Sequence, residues 1–210
     1  MNKALIFDLD GTLWDSSESV CASWNIVFRR YPEISRVLTP ADTRSYMGKT
    51  LDQIFPLALP DAPDELRRKV LRECVIYELE YIAQHGGVLY PRLRETLETL
   101  KKTYTLIIVS NCQDGYIQCF LDFAGMRDIF DDFESAGATG LSKGENIKLV
   151  VERNNIDKAV YIGDTQGDLD SADLAGVPFI RAAYGFGQMN RPVPEIREFC
   201  ELPEKAAEML

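Results

Sequence analysis

Ala4-Leu5-Ile6-Phe7-Asp8-Leu9-Asp10-Gly11-Thr12-Leu13 runs from an apolar stretch straight into two carboxylates one residue apart. The apolar part has the length of a buried strand, and the acids fall where that strand ends. A buried charge without a partner is costly, so two at one strand tip need a cation or strong donors. Magnesium suits such a place, because it takes hard oxygen ligands and keeps positions open for phosphate. The stretch therefore reads as a phosphoryl-transfer site. It also reads as an acidic turn after an edge strand, with Gly11 supplying a positive φ.

Three further apolar runs have the composition of buried parallel strands: Thr105 to Val109, Ala159 to Ile162 and Val177 to Ile180. Helical patterns lie between most of them. Arg94, Leu97, Leu100 and Lys101 fit one amphipathic helix, and Ile117, Phe120, Leu121 and Ala124 fit another. Ser142-Lys143-Gly144-Glu145 has the form of a capping box and opens a helix through Ile147 and Val151. Strands alternating with helices predict an α/β fold: a doubly wound, Rossmann-like parallel sheet with right-handed crossovers.

The alternation breaks between Ser16 and Gly87. Pro32, Pro40, Pro56, Pro60 and Pro63 divide a helix-rich segment into pieces near Glu18–Arg29, Ala41–Met47, Leu51–Leu57 and Asp64–Gln84. This predicts a small α-helical domain at 16–87, inserted into a core made of 1–15 and 88–210. Gly86-Gly87 reads as a return hinge or simply as a helix end.

Bulk properties exclude several classes. The net charge of −10 argues against a nucleic-acid surface, which needs clustered Lys and Arg. It also means that an anionic substrate must be held by local donors or a metal. No apolar stretch reaches the roughly 18 residues of a membrane span, and the N-terminus does not read as a secretion signal. The five cysteines form no C-x-x-C pair and the chain has one histidine, which disfavours a zinc site. Reduced cysteines point to a cytoplasmic protein. Cys112 alone stands near a predicted site, as a buried hydrophobe or a reactive thiol.

Three more elements with phosphate or metal chemistry stand at or after predicted strands, where open α/β sheets bind ligands. Ser110-Asn111 offers a hydroxyl and backbone amides to phosphate, or serves as a helix N-cap. Lys143 is a point charge for phosphate, or an ordinary surface lysine. Gly163-Asp164-Thr165-Gln166-Gly167-Asp168 places two acids four residues apart on one turn into a helix. Asp168 alone is explained by a helix dipole; Asp164 at the strand tip is less so.

In this order the four elements resemble the motifs of the haloacid dehalogenase-like hydrolase superfamily: Asp8-x-Asp10-x-Thr12, Ser110, Lys143 and Gly163-Asp164-x-x-x-Asp168. The helical insertion resembles the cap of its phosphoglycolate phosphatase and beta-phosphoglucomutase branch. Two departures stand out: Lys143 precedes Gly144 where this branch often has proline, and Tyr90-Pro91-Arg92 stands where it often has Pro-Gly. The dehalogenase members lack the second acid, so Asp10 favours phosphate chemistry.

The resemblance implies a magnesium-dependent phosphatase acting on a small phosphorylated metabolite. Asp8 would attack phosphorus, and Asp10 would serve as general acid and base. Asp8, the Asp10 backbone carbonyl, Asp164 and Asp168 would hold Mg2+. Thr12, Ser110, Asn111 and Lys143 would bind the phosphoryl group. The segment Tyr46-Met47-Gly48-Lys49-Thr50 is the expected cap loop over the site. There Lys49 reads a second anion on the substrate or is simply exposed. The implied partners are the metabolite alone, with no nucleic acid and no membrane, and the implied state is a monomer or weak homodimer. A phosphomutase uses the same phosphoenzyme, and a non-catalytic binding protein can retain the same fold; both remain rivals.

Overall fold

β1 (Lys3–Phe7) lies at the middle of a parallel sheet, and the chain winds outward from it in both directions. The computed structural model describes residues 1–210. After β1 come β2 (Trp14–Asp15) and then four helices: α1 (Ser17–Phe28), α2 (Pro40–Tyr46), α3 (Leu51–Ala58) and α4 (Asp64–His85). The chain returns through β3 (Val88–Leu89), α5 (Leu93–Leu100), β4 (Thr105–Ser110), α6 (Tyr116–Phe123), β5 (Asp132–Ser135), α7 (Ala136–Thr139) and α8 (Lys143–Arg153). It ends with β6 (Lys158–Gly163), α9 (Gln166–Ala175), β7 (Phe179–Ala182), β8 (Glu195–Ile196) and α10 (Leu202–Met209).

The sheet has six strands in the order β5-β4-β1-β6-β7-β8, all neighbouring pairs parallel. β1 registers Phe7 against Ile108 on one side and Ile162 on the other. The strand order reverses at β1, which places a crevice at the carboxyl ends of β1, β4 and β6.

Burial follows the two-residue period of a strand. Leu5, Phe7, Ile108 and Ile162 face a core shared with Leu97 of α5, Phe120 of α6 and Leu202 of α10. Ala4, Ile6, Ile107 and Tyr161 face the other layer, with Ile147 of α8 and Leu169 and Ala172 of α9. Each fully buried Leu, Ile or Phe contributes about 1.5–3 kcal/mol relative to its exposed state. The central strands are covered on both faces, which is why they read as unbroken apolar runs.

Two expectations are corrected, and one strand appears where none was expected. The last apolar strand forms at Phe179–Ala182, not at Val177–Ile180. Val177 instead donates its N–H to the Ala172 carbonyl, closing α9 beyond Gly176. Pro56 does not divide helices but lies inside α3. Its missing N–H forfeits one bond near the end of a helix that stops two residues later. β5, with sequence Asp-Phe-Glu-Ser, has no apolar run to announce it; it is an edge strand whose Asp132 and Glu134 each pair with Arg153 at 2.7 Å.

The helices α1 to α4 leave and rejoin the sheet region at one place. Trp14 pairs with Leu89 and Asp15 with Val88 in an antiparallel ladder, so outgoing and returning chains are tied side by side. α1 packs its Trp24 against Phe55 of α3, with ring centroids 5.0 Å apart. Thr39 and Asp42 form a capping box for α2, whose first residue is Pro40. No helix is long and apolar enough to cross a membrane.

Candidate active site

Asp8 is the first residue past β1, held there by its N–H on the Ile162 carbonyl at 2.8 Å. Its side chain is buried. Lys143, the first residue of α8, brings Nζ within 2.8 Å of Asp8 Oδ1 and 2.5 Å of Asp168 Oδ1. The Ser142–Glu145 capping box fixes where α8 begins, and so aims Lys143 into the crevice.

Asp164 and Asp168 come from the end of β6 and the first turn of α9. Thr165 caps α9, and its hydroxyl and N–H both donate to Asp168 Oδ2, at 2.7 and 2.9 Å. The other oxygen of Asp168 is thereby turned toward Lys143. Asp164 is fully buried; Phe186 N–H donates to its Oδ2 at 2.7 Å, and its Oδ1 has no partner. Two glycines permit this. A side chain at Gly11, whose φ is +84°, or at Gly185 would run into Asp164.

Carboxylate oxygens of Asp8, Asp164 and Asp168 lie within 4.8 Å of one another. Three carboxylates against one ammonium leave two negative charges, the complement of a divalent cation. The donors are all hard oxygens, and Asp164 Oδ1 has no hydrogen bond to give up. These residues fit a divalent metal.

The electrostatics follow from the same packing. Burial, with Asp168 adding to it, pushes Asp8 up to about 7, although Lys143 pulls the other way. Burial and the neighbouring Asp168 and Asp8 hold Asp164 well above the usual carboxylate range. Burial opposes the charge on Lys143, but Asp168 and Asp8 outweigh it and leave the ammonium above its ordinary value.

Asp10 has a separate environment. Ser16 Oγ donates to its Oδ1 at 2.5 Å, and the Tyr116 hydroxyl lies 3.1 Å from that oxygen and 2.9 Å from Ser16 Oγ. Both hydroxyls crowd one oxygen, and the carboxyl lines the crevice. Burial raises Asp10 to about 6, with the Ser16 and Tyr116 contacts acting against it. Two carboxyls on one loop thus differ in partners, the arrangement that acid–base division of labour requires.

Asp8, Asp10, Ser110 and Asn111 share a cavity of about 60 Å3 with residues of α1 to α4. Lys49 also lines it, but its Nζ donates to the Ser45 carbonyl at 2.7 Å. Asn111 Nδ2 donates to the Gly48 carbonyl at 2.8 Å, tying the 47–49 loop across the site. Thr12 is not brought to the cavity: it is fully buried, and its carbonyl accepts from Tyr184. Cys112 lines the cavity, but burial pushes its thiol up, away from thiolate reactivity. His85 stacks on Tyr81 at 4.0 Å. Arg92 pairs with Glu95 at the start of α5.

Ser16, Tyr116, Phe186, Glu78 and Gln113 have no place in the sequence motifs. Glu78 is buried, accepts from Gln113 Nε2 at 2.8 Å and from Trp24 Nε1, and lines the cavity. Most of these contacts join residues far apart in the chain; only Ser16, six residues from Asp10, is near its partner.

The family model described as haloacid dehalogenase-like hydrolase matches residues 5–182. A phosphoglycolate phosphatase of Vibrio vulnificus is 28% identical over 198 residues, covering 88% of this chain and 85% of its own. A haloacid dehalogenase-like family hydrolase from Streptococcus pneumoniae superposes with a TM-score of 0.84 at 21% identity, covering 98% of each chain. CbbY from Rhodobacter sphaeroides, solved in complex with xylulose-(1,5)bisphosphate, superposes with a TM-score of 0.78 at 18% identity, covering 96% of each chain. The two structures share the fold.

Proposed function

The chain belongs to the haloacid dehalogenase-like hydrolase family and is a phosphoric monoester hydrolase; from that premise we propose a magnesium-dependent phosphatase that acts on a small phosphorylated metabolite through an aspartyl-phosphate on Asp8. The observation that carries this reading is the pairing of Asp8 with Lys143, with Asp8 and Asp10 lining one cavity.

Asp8 attacks phosphorus in line, so one difficult displacement becomes two easier ones. Lys143, the Ser110 hydroxyl and the backbone N–H of Asn111 stabilise the phosphoryl oxygens. Asp10, with one oxygen held by Ser16, gives a proton to the leaving alkoxide through the other. It then takes a proton from the water that opens the aspartyl-phosphate. Asp8, Asp164, Asp168 and the Asp10 carbonyl would hold Mg2+, which when bound neutralises phosphate charge and lowers the barrier to attack by a weak nucleophile. The segment 16–87 acts as a cap over a core made of 1–15 and 88–210, excluding bulk water. The protein works in the cytoplasm as a monomer or weak homodimer.

Release of phosphate from p-nitrophenyl phosphate by the wild type and by Asp8→Asn tests the reading. Loss of turnover in a folded variant supports it, and undiminished magnesium-dependent turnover overturns it. A phosphomutase would have to hold a second phosphate. The one cation lining the cavity is Lys49, exposed and bonded to the Ser45 carbonyl, so nothing favours that alternative.

A further inference from the structure

We propose that Glu78 selects the leaving group, and that the site takes a short phosphate ester whose leaving group carries an uncharged hydroxyl in place of a second anion. This rests on the phosphatase reading above.

Glu78 is on α4, outside every motif of the family, yet it reaches the same cavity as Asp8 and Asp10. It is only 3% exposed. Two fixed donors lock its orientation: Gln113 Nε2 on Oε1 and Trp24 Nε1 on Oε2. Each carboxyl oxygen can accept a second hydrogen bond, so the group retains acceptor capacity toward the cavity. Apolar side chains, Val20, Met47 and Ile54 among them, line much of the same space.

That environment discriminates among leaving groups. A carboxylate or phosphate on the leaving group would be repelled by the ionised form of Glu78 in a low-dielectric space, and it brings no donor for the free acceptor sites of that carboxyl. The one cation lining the cavity, Lys49, is exposed and bonded to the Ser45 carbonyl at 2.7 Å, so solvent screens its charge. An ammonium would be drawn to Glu78 but would lose its hydration in an apolar pocket. Burial also holds the Glu78 carboxyl up to about 7, which weakens its pull on a cation near neutral pH. A hydroxyl has the lowest desolvation cost and donates to Glu78 in either protonation state. The cavity of about 60 Å3 is small, which favours a short leaving group.

The test is a set of esters of similar length: hydroxyethyl, aminoethyl, carboxymethyl and ethyl phosphate. Phosphate release is measured with wild-type protein and with Glu78→Gln. Wild-type kcat/KM is expected to be at least about tenfold higher for the hydroxyethyl ester than for the carboxymethyl ester. Glu78→Gln should bring that ratio close to unity. A wild-type preference for the carboxymethyl or aminoethyl ester overturns the inference. So does an equal loss on all four esters in Glu78→Gln, which would make Glu78 only a brace between Trp24 and Gln113. Should the variant fail to fold, the wild-type ratios decide by themselves. No release from any ester, ethyl phosphate included, would instead remove the phosphatase reading on which the inference stands.

Discussion

Lys143 Nζ is shared between Asp8 Oδ1 at 2.8 Å and Asp168 Oδ1 at 2.5 Å, which joins the end of β1, the start of α8 and the first turn of α9 in the interior. Removing one partner of such a group leaves the other charges buried and uncompensated. Lys143→Met should therefore lower stability by about 3–5 kcal/mol without added divalent metal. Turnover should fall with it. Urea denaturation and phosphate release measure the two effects, and an unchanged urea midpoint would refute the structural part.

Asp10→Asn should keep the fold and lose roughly a hundred- to ten-thousand-fold in kcat, the usual value of a positioned acid and base. Tyr116→Phe should lose less, because Ser16 still donates to the same oxygen. Steady-state kinetics on both variants checks the order. If Tyr116→Phe lost as much as Asp10→Asn, the division of labour would be wrong.

Glu78 governs a pH dependence of stability. Its value is about 7 in the folded chain against 4.5 for an ordinary glutamate, because burial outweighs the Gln113 and Trp24 contacts. The native state thus binds the proton more tightly than the unfolded chain. Its contribution is full below the ordinary value and is lost as pH rises through about 7. Glu78→Gln mimics the protonated form, so its stability relative to wild type should grow between about pH 5 and pH 8. Urea midpoints across that range measure it; a constant difference would contradict the assignment.

Chelation should abolish turnover and magnesium should restore it. A metal that binds only the native chain also raises its melting temperature. Thermal unfolding should show that rise in wild type and not in Asp164→Asn, whose Oδ1 otherwise lies buried without a partner. An equal rise in both would move the metal elsewhere.

Much of this was legible in the sequence. Asp8-x-Asp10 and Asp164-x-x-x-Asp168 each follow an apolar run that became β1 or β6, and the Ser142 capping box set the start of α8. Strand tips and helix caps are local, so short motifs find them. β5 was hidden because an edge strand needs no apolar run, and its acids are answered by Arg153 from another element. Ser16, Tyr116 and Glu78 were hidden for a related reason. α4 carries acids around its surface, and nothing local separates Glu78 from Glu73 or Glu80. Only the folded chain sets Glu78 against Trp24 and Gln113.

The central claim is that phosphate passes through Asp8. Rapid mixing with substrate, borohydride reduction and peptide mass spectrometry test it directly, since hydride converts an acyl phosphate to an alcohol. The account predicts homoserine at position 8, formed only when substrate is present. Full turnover with Asp8 left unreduced, or with another carboxylate reduced in its place, would contradict it.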